Sequence, residues 1–583
     1  MKKLDIFPIP KELKYGEDIT PASTVVLREI NSSLAKEEYI IIIGDKKIEL
    51  HAATEIGFFR AQTTLNQIKT QCGEILPDLY LHDYPDFDVR GLTYCNGGRT
   101  PTIEELKHMI DLLADMKINQ LQIYVDAGSF EYKSFPTLAR NPGCFTAEEI
   151  RELSRYSAER FVDLVPCTQV FGHCATWLHT PELHDLAECP EKEWADTFDP
   201  SDPRTLDHAC RVFDDLIEVF DSAYFNSGCD EPHELGEGKN KERCEKVGRD
   251  SVVIEFMNKL NGALKERGKV MQYWGEMLVH APLEKLQTLP KDAILLDWGY
   301  ERQDVWEGFC ERLQQANVPY YVCPGNGVWM GMLGKSYNTV QNIARSAAVG
   351  KKFGAAGLLN TDWMDEGLLF YSSSYLGFAY GAAMGWSTDS NDYMITRMDS
   401  HPEYIPEPDS YQMAKMSPTL RAVFHYLNRV VFKDTTETMA QVMYDAGQVS
   451  ELAPTNRAWN TTHLKKFLIQ SLDDGNTNGF EIEDCINVLN YLTVIKYRLS
   501  LVQLHCYDAE QIIDEYKTAI DMTEYAAKIG LWKLGAIEEK DCDFFVREMQ
   551  TMQTRIISAS EFLIAKRCKT VRSIRDYFSK FDK

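Results

Sequence analysis

The sequence predicts an α/β protein: a closed (β/α)8 TIM barrel, preceded by a small α/β domain and followed by an all-α domain. Three observations carry this. At 583 residues the chain exceeds one ordinary domain. Between about residues 87 and 390, eight short apolar runs each lead into a helical stretch. That alternation implies a parallel sheet, and eight repeats over about 300 residues imply closure into a barrel rather than a doubly wound open sheet. Outside this window the pattern changes on both sides.

In order, residues 1–86 hold the strand-rich TVVLREI and YIIIIGDKKIELHA and the amphipathic EIGFFRAQTTLNQIKTQ, a small α/β unit. LHDYPDFDVRG, with Pro85 among closely spaced acids, reads as the junction. The barrel strands follow as VRGLTY, NQLQIYV, FVDLVPCTQVFG, AYFNSGCDEP, KVMQYWGEM, AILLDWGY, VPYYVCPG and AAGLLNTDW. Residues 391–583 lose the strand signal. HLKKFLIQSLDD, EDCINVLNYLTVIKYRLSLVQLHCY and EQIIDEYKTAIDMTEYAAKIG read as helices of a C-terminal domain.

Composition excludes several classes of partner. The net charge of −26 argues against nucleic acid and anionic membrane. Lys2 and Lys3 are not followed by a signal-peptide apolar run, and no segment reaches the roughly 18–20 apolar residues of a membrane span. Fifteen cysteines, an odd count with no C-x-x-C pair, favour reduced thiols and a cytoplasmic location. Gly334-Lys335-Ser336 lacks the first glycine of a phosphate loop, Trp329 standing there. H-E-x-x-H and G-x-S-x-G are absent, so neither a metal nor a cofactor is expected.

A barrel of this kind carries its chemistry at the carboxyl ends of its strands. Tyr124 and Asp126 end the second strand, His173 the third, Asp230-Glu231 the fourth, Trp274 the fifth, Trp298 the sixth, Tyr321 the seventh and Asp362-Trp363 the eighth. Four of the ten tryptophans, Trp274, Trp298, Trp329 and Trp363, fall at strand ends or just beyond. Aromatic walls with a few carboxylates suit a sugar ring, whose C–H faces stack while its hydroxyls need fixed partners. Singly these features are weak. Asp-Glu also occurs at 365 and 514, tryptophans after strands are often core, and a lone histidine is more often structural. Their coincidence at one end of the barrel makes the site.

FNSGCDEPHELGEGK resembles the fourth-strand motif of glycoside hydrolase family 20, with consecutive Asp-Glu after Gly-rich sequence. VRGL, FGH, YWGEM, LDWGY and NTDWMDEG are similar to the family's other strand ends. The small N-terminal domain and helical extension resemble its bacterial N-acetylglucosaminidase branch. The resemblance implies an exo-acting, retaining β-N-acetylhexosaminidase that removes terminal N-acetylglucosamine or N-acetylgalactosamine. In such substrate-assisted catalysis the 2-acetamido oxygen attacks the anomeric carbon, with the advantage of a tethered reactant. Glu231 would be the acid and then the base, protonated on arrival through burial beside Asp230. Asp230 would hold the acetamido group and the oxazolinium ion, and His173 and Asp126 would support the acid. By the same resemblance, Arg90 would contact the outer hydroxyls, Trp274, Trp298 and Trp363 would wall the pocket, and Tyr321, with neighbouring Tyr320 as the alternative, would donate to the acetamido carbonyl. Trp329 would cap the site or shape its leaving-group side, and Asp365 would bind the 4- and 6-hydroxyls. Cys323, where an Asp is usual, and Asp365, where a Glu is usual, depart from the pattern and leave gluco versus galacto preference open. The expected partner is an oligosaccharide or glycoconjugate, and the helical domain would serve a homodimer. The rival readings are an inactive glycan-binding protein on the same barrel, opposed by the intact Asp230-Glu231 pair, and an O-linked N-acetylglucosamine hydrolase of another family, which would present paired Asp residues.

Overall fold

The computed structural model describes residues 3–581 except 96, 139–142, 303, 366–369, 389–416, 453–460 and 571–572. The boundary expected near residue 390 lies outside the described residues. Five strands open the chain: β1 (Glu12–Pro21), β2 (Val26–Ile30), β3 (Tyr39–Gly44), β4 (Lys47–Ala52) and β5 (Ile75–Asp83). They form one sheet in the order β1-β5-β3-β4-β2, with β2 and β4 parallel and the rest antiparallel. Alternation in YIIIIG buries Tyr39, Ile41 and Ile43 on the face covered by the helix Glu55–Cys72. Thr54 caps that helix by accepting from Gly57 N–H, and Gly73 ends it at φ 69°. The charged, mostly exposed ELKYGEDITP is β1, and the presumed junction residues LHD complete β5. Strand β1 owes its state to pairing with β5, which no periodicity of its own announces, whereas β5 pairs on both sides, with β1 and β3, and buries alternate residues.

Eight parallel strands then close a barrel: β6 (Val89–Tyr94), β7 (Gln120–Tyr124), β8 (Asp163–Cys167), β9 (Tyr224–Asn226), β10 (Val270–Trp274), β11 (Ile294–Gly299), β12 (Tyr320–Pro324) and β13 (Gly357–Asp362). Strand β13 pairs with β6, and β9 with β10. The barrel centre is hydrogen-bonded rather than purely apolar. Gln122 Nε2 donates to Gln272 Oε1 at 2.6 Å, while its Oε1 accepts from Asn226 Nδ2 at 2.8 Å and Thr93 Oγ1 at 3.1 Å. Satisfied in this way, the amides tolerate full burial.

The N-terminal domain sits against the barrel's amino end through two buried charge clusters. Glu37 accepts from Arg60 Nε at 2.9 Å, Arg90 Nη2 at 2.6 Å and Asn119 Nδ2 at 2.8 Å. Burial opposes ionisation of Glu37, but Arg90 and Arg60 pull its carboxyl down to about 2. Asp83 pairs with Lys117 at 3.1 Å and accepts the indole N–H of Trp386 at 2.8 Å.

The C-terminal region is helical, with long helices Ile482–Leu501, Ala509–Lys533 and Cys542–Arg567. The last carries no helix expectation above, its apolar positions being diluted by charge. Buried contacts of Arg567 and Lys465 are among those that tie this region to the barrel. Arg567, buried, pairs with Glu515 at 2.7 Å, Asp508 at 2.8 Å and the barrel's Glu105. Lys465 Nζ donates to the Trp329 carbonyl at 2.6 Å. Among the described residues no helix is long and apolar enough to cross a membrane, and no group of three or more His, Cys, Asp or Glu could hold a metal ion.

Candidate active site

Strands β8 and β9 end early, at Cys167 and Asn226, so His173 and Asp230-Glu231 lie on loops beyond them. These two loops pack backbone to backbone. A Cβ on Gly172 would come within 2.0 Å of the Asp230 carbonyl, and one on Gly228 within 2.1 Å of Gln169 Oε1. The glycines of FGH and SGCDE are therefore there for close approach. The approach bends the chain: His173, Cys229 and Glu231 are left-handed, at φ 54°, 80° and 49°. Such conformations cost about 1 kcal/mol or more each for residues with a Cβ, and they concentrate at functional sites.

The bend brings two carboxylates to one imidazole. His173 Nε2 lies 3.0 Å from Glu231 Oε2 and 3.5 Å from Asp230 Oδ2. Burial works against the imidazolium, yet hydrogen bonding and attraction from Asp230 and Glu231 raise His173 to about 11, so it is cationic at neutral pH. Asp126, two residues past β7, accepts Ala127 N–H at 2.7 Å. Burial pushes its carboxyl up to about 6 against that N–H and the charge of His173. The four residues expected to move or steady protons are thus brought together.

The three expected tryptophans form a connected wall, Trp298 and Trp363 half-buried at its surface and Trp274, 0 % exposed, sealed behind them. Trp274 and Trp363 have ring centroids 5.8 Å apart, and Tyr124 meets Trp363 edge-on at 6.0 Å. Trp298 stacks on Tyr300 at 4.8 Å, and the Trp363 indole N–H donates to the Tyr300 hydroxyl at 2.9 Å. Asp365 is exposed in the turn after β13. Cys323 is buried in the barrel with Trp274 and Leu359, partnered across the ladder with Trp298.

Three expected positions are corrected. Arg90 is the second residue of β6, four residues or roughly 13 Å below that strand's last residue. It is 1 % exposed, bonds Glu37 and the Lys117 and Phe87 carbonyls, and lies over the Trp386 ring. It joins domains at the amino end and does not face the mouth. Tyr321 is likewise the second residue of β12 and is buried inside the barrel among Ile294, Leu296 and Leu359. Trp329 is 1 % exposed and packs edge-on behind Tyr300 at 5.1 Å, so it backs the wall rather than capping the site. Arg90 and Tyr321 sit too early on their strands, and Trp329, in the helical turn Val328–Met330 after β12, packs inward.

The structure adds four residues. Gln169 donates from Nε2 to Asp230 Oδ1 at 2.5 Å and accepts Cys229 N–H at 2.9 Å, orienting Asp230. Glu276 accepts the Glu231 backbone N–H at 2.8 Å and the Trp298 indole N–H at 2.8 Å. Tyr300 is the hydroxyl among the tryptophans, and Arg99, 4 % exposed, is the arginine on the loop that leaves β6 at the mouth end. Each stands within a few residues of a motif read above, in CTQVFGH, YWGEM, LDWGY and VRGLTYCNGGR.

A parallel barrel with two neighbouring carboxylates, a cationic histidine and a tryptophan wall at its mouth has the makings of a carbohydrate-processing enzyme. Comparison with known proteins places it more closely. The profile of the glycosyl hydrolase family 20 catalytic domain matches residues 87–352, and that of the family's domain 2 matches residues 9–84. The chain belongs to glycoside hydrolase family 20. A β-hexosaminidase of Vibrio furnissii is 24 % identical over 342 residues, 51 % of this chain and 55 % of that protein. A β-N-acetylhexosaminidase of Cellulomonas fimi is 26 % identical over 295 residues, 46 % of this chain and 59 % of that protein. The chain thus spans about half the length of these curated relatives. The fold likeness extends further. The Flavobacterium johnsoniae chitobiase superposes with a TM-score of 0.56 over 94 % of this chain and 96 % of that one at 16 % identity.

Proposed function

We propose that the chain is an exo-acting, retaining β-N-acetylhexosaminidase that releases terminal β-linked N-acetylglucosamine by substrate-assisted catalysis. The observation that carries this is the sharing of His173 by Asp230 and Glu231 beside the Trp274–Trp298–Trp363 wall. Neighbours in the chain that share one imidazole approach a sugar from the same side, whereas the acid and nucleophile of an ordinary retaining pair flank it. Such neighbours can serve a substrate that brings its own nucleophile. Glu231 passes to the glycosidic oxygen the proton it shares with the His173 imidazolium 3.0 Å away, as the acetamido oxygen bonds to C1 and the C1–O bond breaks. Asp230, held by Gln169, accepts the acetamido N–H as positive charge develops there. Water then attacks C1, giving its proton to Glu231 and regenerating the acetamide. Tyr300 takes the donor role expected of Tyr321, and Arg99 the hydroxyl-reading role expected of Arg90.

The test is a hydrolysis panel of p-nitrophenyl β-glycosides of N-acetylglucosamine, N-acetylgalactosamine and glucose. The expected result is cleavage only where the 2-acetamido group is present, fastest for the gluco form. Efficient glucoside cleavage would overturn the mechanism. Glu231→Gln should lose about 100-fold or more of kcat on a β-linked disaccharide, whose poor leaving group needs the proton, and less on the p-nitrophenyl glycoside.

A further inference from the structure

Glu276 lies two residues past the end of β10 and uses both carboxylate oxygens on donors from different elements. Oε1 accepts the Glu231 backbone N–H from the loop after β9, and Oε2 accepts the Trp298 indole N–H from β11, each at 2.8 Å. Glu231 is the residue whose left-handed backbone, φ 49°, needs an external hold, and Trp298 carries the stack on Tyr300 that continues to Trp363. Resting on the functional reading above, we propose that Glu276 is a positioning residue: its carboxylate fastens the backbone of the proton donor to one wall of the sugar pocket, so that the two hold a common geometry.

The groups facing this carboxylate agree with the role. From the β9 loop these are Asp230, Glu231 and the Cys229 thiol, with His173 reached through Glu231; from β11 it is the neutral Trp298. Burial and then the charge of Asp230 push the Glu276 carboxyl up to about 7, against the two N–H donors that favour its charged form. A glutamine here retains one acceptor oxygen and must turn its amide N–H2 toward one of the two N–H donors, so one tie is lost.

Glu276→Gln should therefore fold, with KM on p-nitrophenyl β-N-acetylglucosaminide within about threefold of the parent and kcat lower by about 10- to 100-fold. The limb of its pH profile near neutrality should also disappear. A second readout needs no turnover. In protein labelled with 5-fluorotryptophan, the Trp298 resonance, assigned by its loss in Trp298→Phe, should titrate near pH 7 in the parent and stay flat in Glu276→Gln. A kcat within about twofold with an unchanged pH profile would overturn the proposal. So would a Trp298 resonance that titrates identically in both proteins. If the parent cleaved none of the glycosides, the functional reading would fall instead, and the fluorine titration would still decide whether Glu276 holds Trp298.

Discussion

At the residue scale, the site is governed by how closely two loops approach. Gly172 admits the Asp230 carbonyl where a Cβ would stand 2.0 Å away, and backbone atoms of Glu231 and Pro232 lie within 2.9 Å of the same point. Backbone cannot rotate aside as a side chain can. Gly172→Ala should therefore displace the Asp230-Glu231 segment by something near 1 Å, costing kcat about 100-fold and stability about 1–3 kcal/mol. Steady-state kinetics with urea unfolding of the same variant checks both. The FGH and CDE motifs are visible in the sequence, but the reason for their glycine is a contact across 58 positions and belongs to the folded loops.

At the scale of elements, the position of a residue along its strand decides which end of the barrel it serves. VRGL reads equally well as a substrate-binding or as a domain-joining strand, since both need an arginine. In the structure Arg90 belongs to the amino-end cluster with Glu37 and Arg60. Arg90→Ala should leave Glu37 buried with one cation fewer and cost about 3–5 kcal/mol of stability. The KM of the folded fraction should stay within about twofold, since the mouth is untouched. Thermal unfolding beside Michaelis kinetics separates these, and a selective rise in KM without destabilisation would return Arg90 to the sugar. The helix His463–Ile469 supports the mouth end, holding the Trp329 loop through Lys465, while Tyr426 and Arg429 of the helical region reach Asp115 and Asp5 toward the amino end.

At the scale of the whole molecule, buried ionisable groups set the pH range of stability. Burial is the leading cause that raises Asp126 to about 6 and Glu276, Asp297, Asp362 and Asp445 to about 7. A carboxyl raised in the folded state contributes stability below its unfolded value of about 4 and loses it as pH rises through the folded value. His173, raised to about 11, acts in the same direction above about 6.5. His208, lowered by burial and Arg211 to about 3, opposes them below about 6.5, and Glu37 does so only below about 4.5. The lowered histidines, His108, His425 and His463 beside His208, oppose them only below about 6.5, so above it the raised carboxyls and His173 act alone and Tm should fall from about pH 6.5 to pH 8. A scanning calorimetry series would show it, and a Tm rising over that interval would contradict these assignments. The barrel, its flanking domains, Asp230-Glu231, His173 and the three wall tryptophans were legible in the sequence, because alternation and strand-end residues are local patterns. Gln169, Glu276, Tyr300 and the true places of Arg90, Tyr321 and Trp329 were decided only by the tertiary structure. Strand register and loop-to-loop hydrogen bonds join residues far apart in sequence, and it is these that determine which polar group reaches the mouth and which is sealed beneath it.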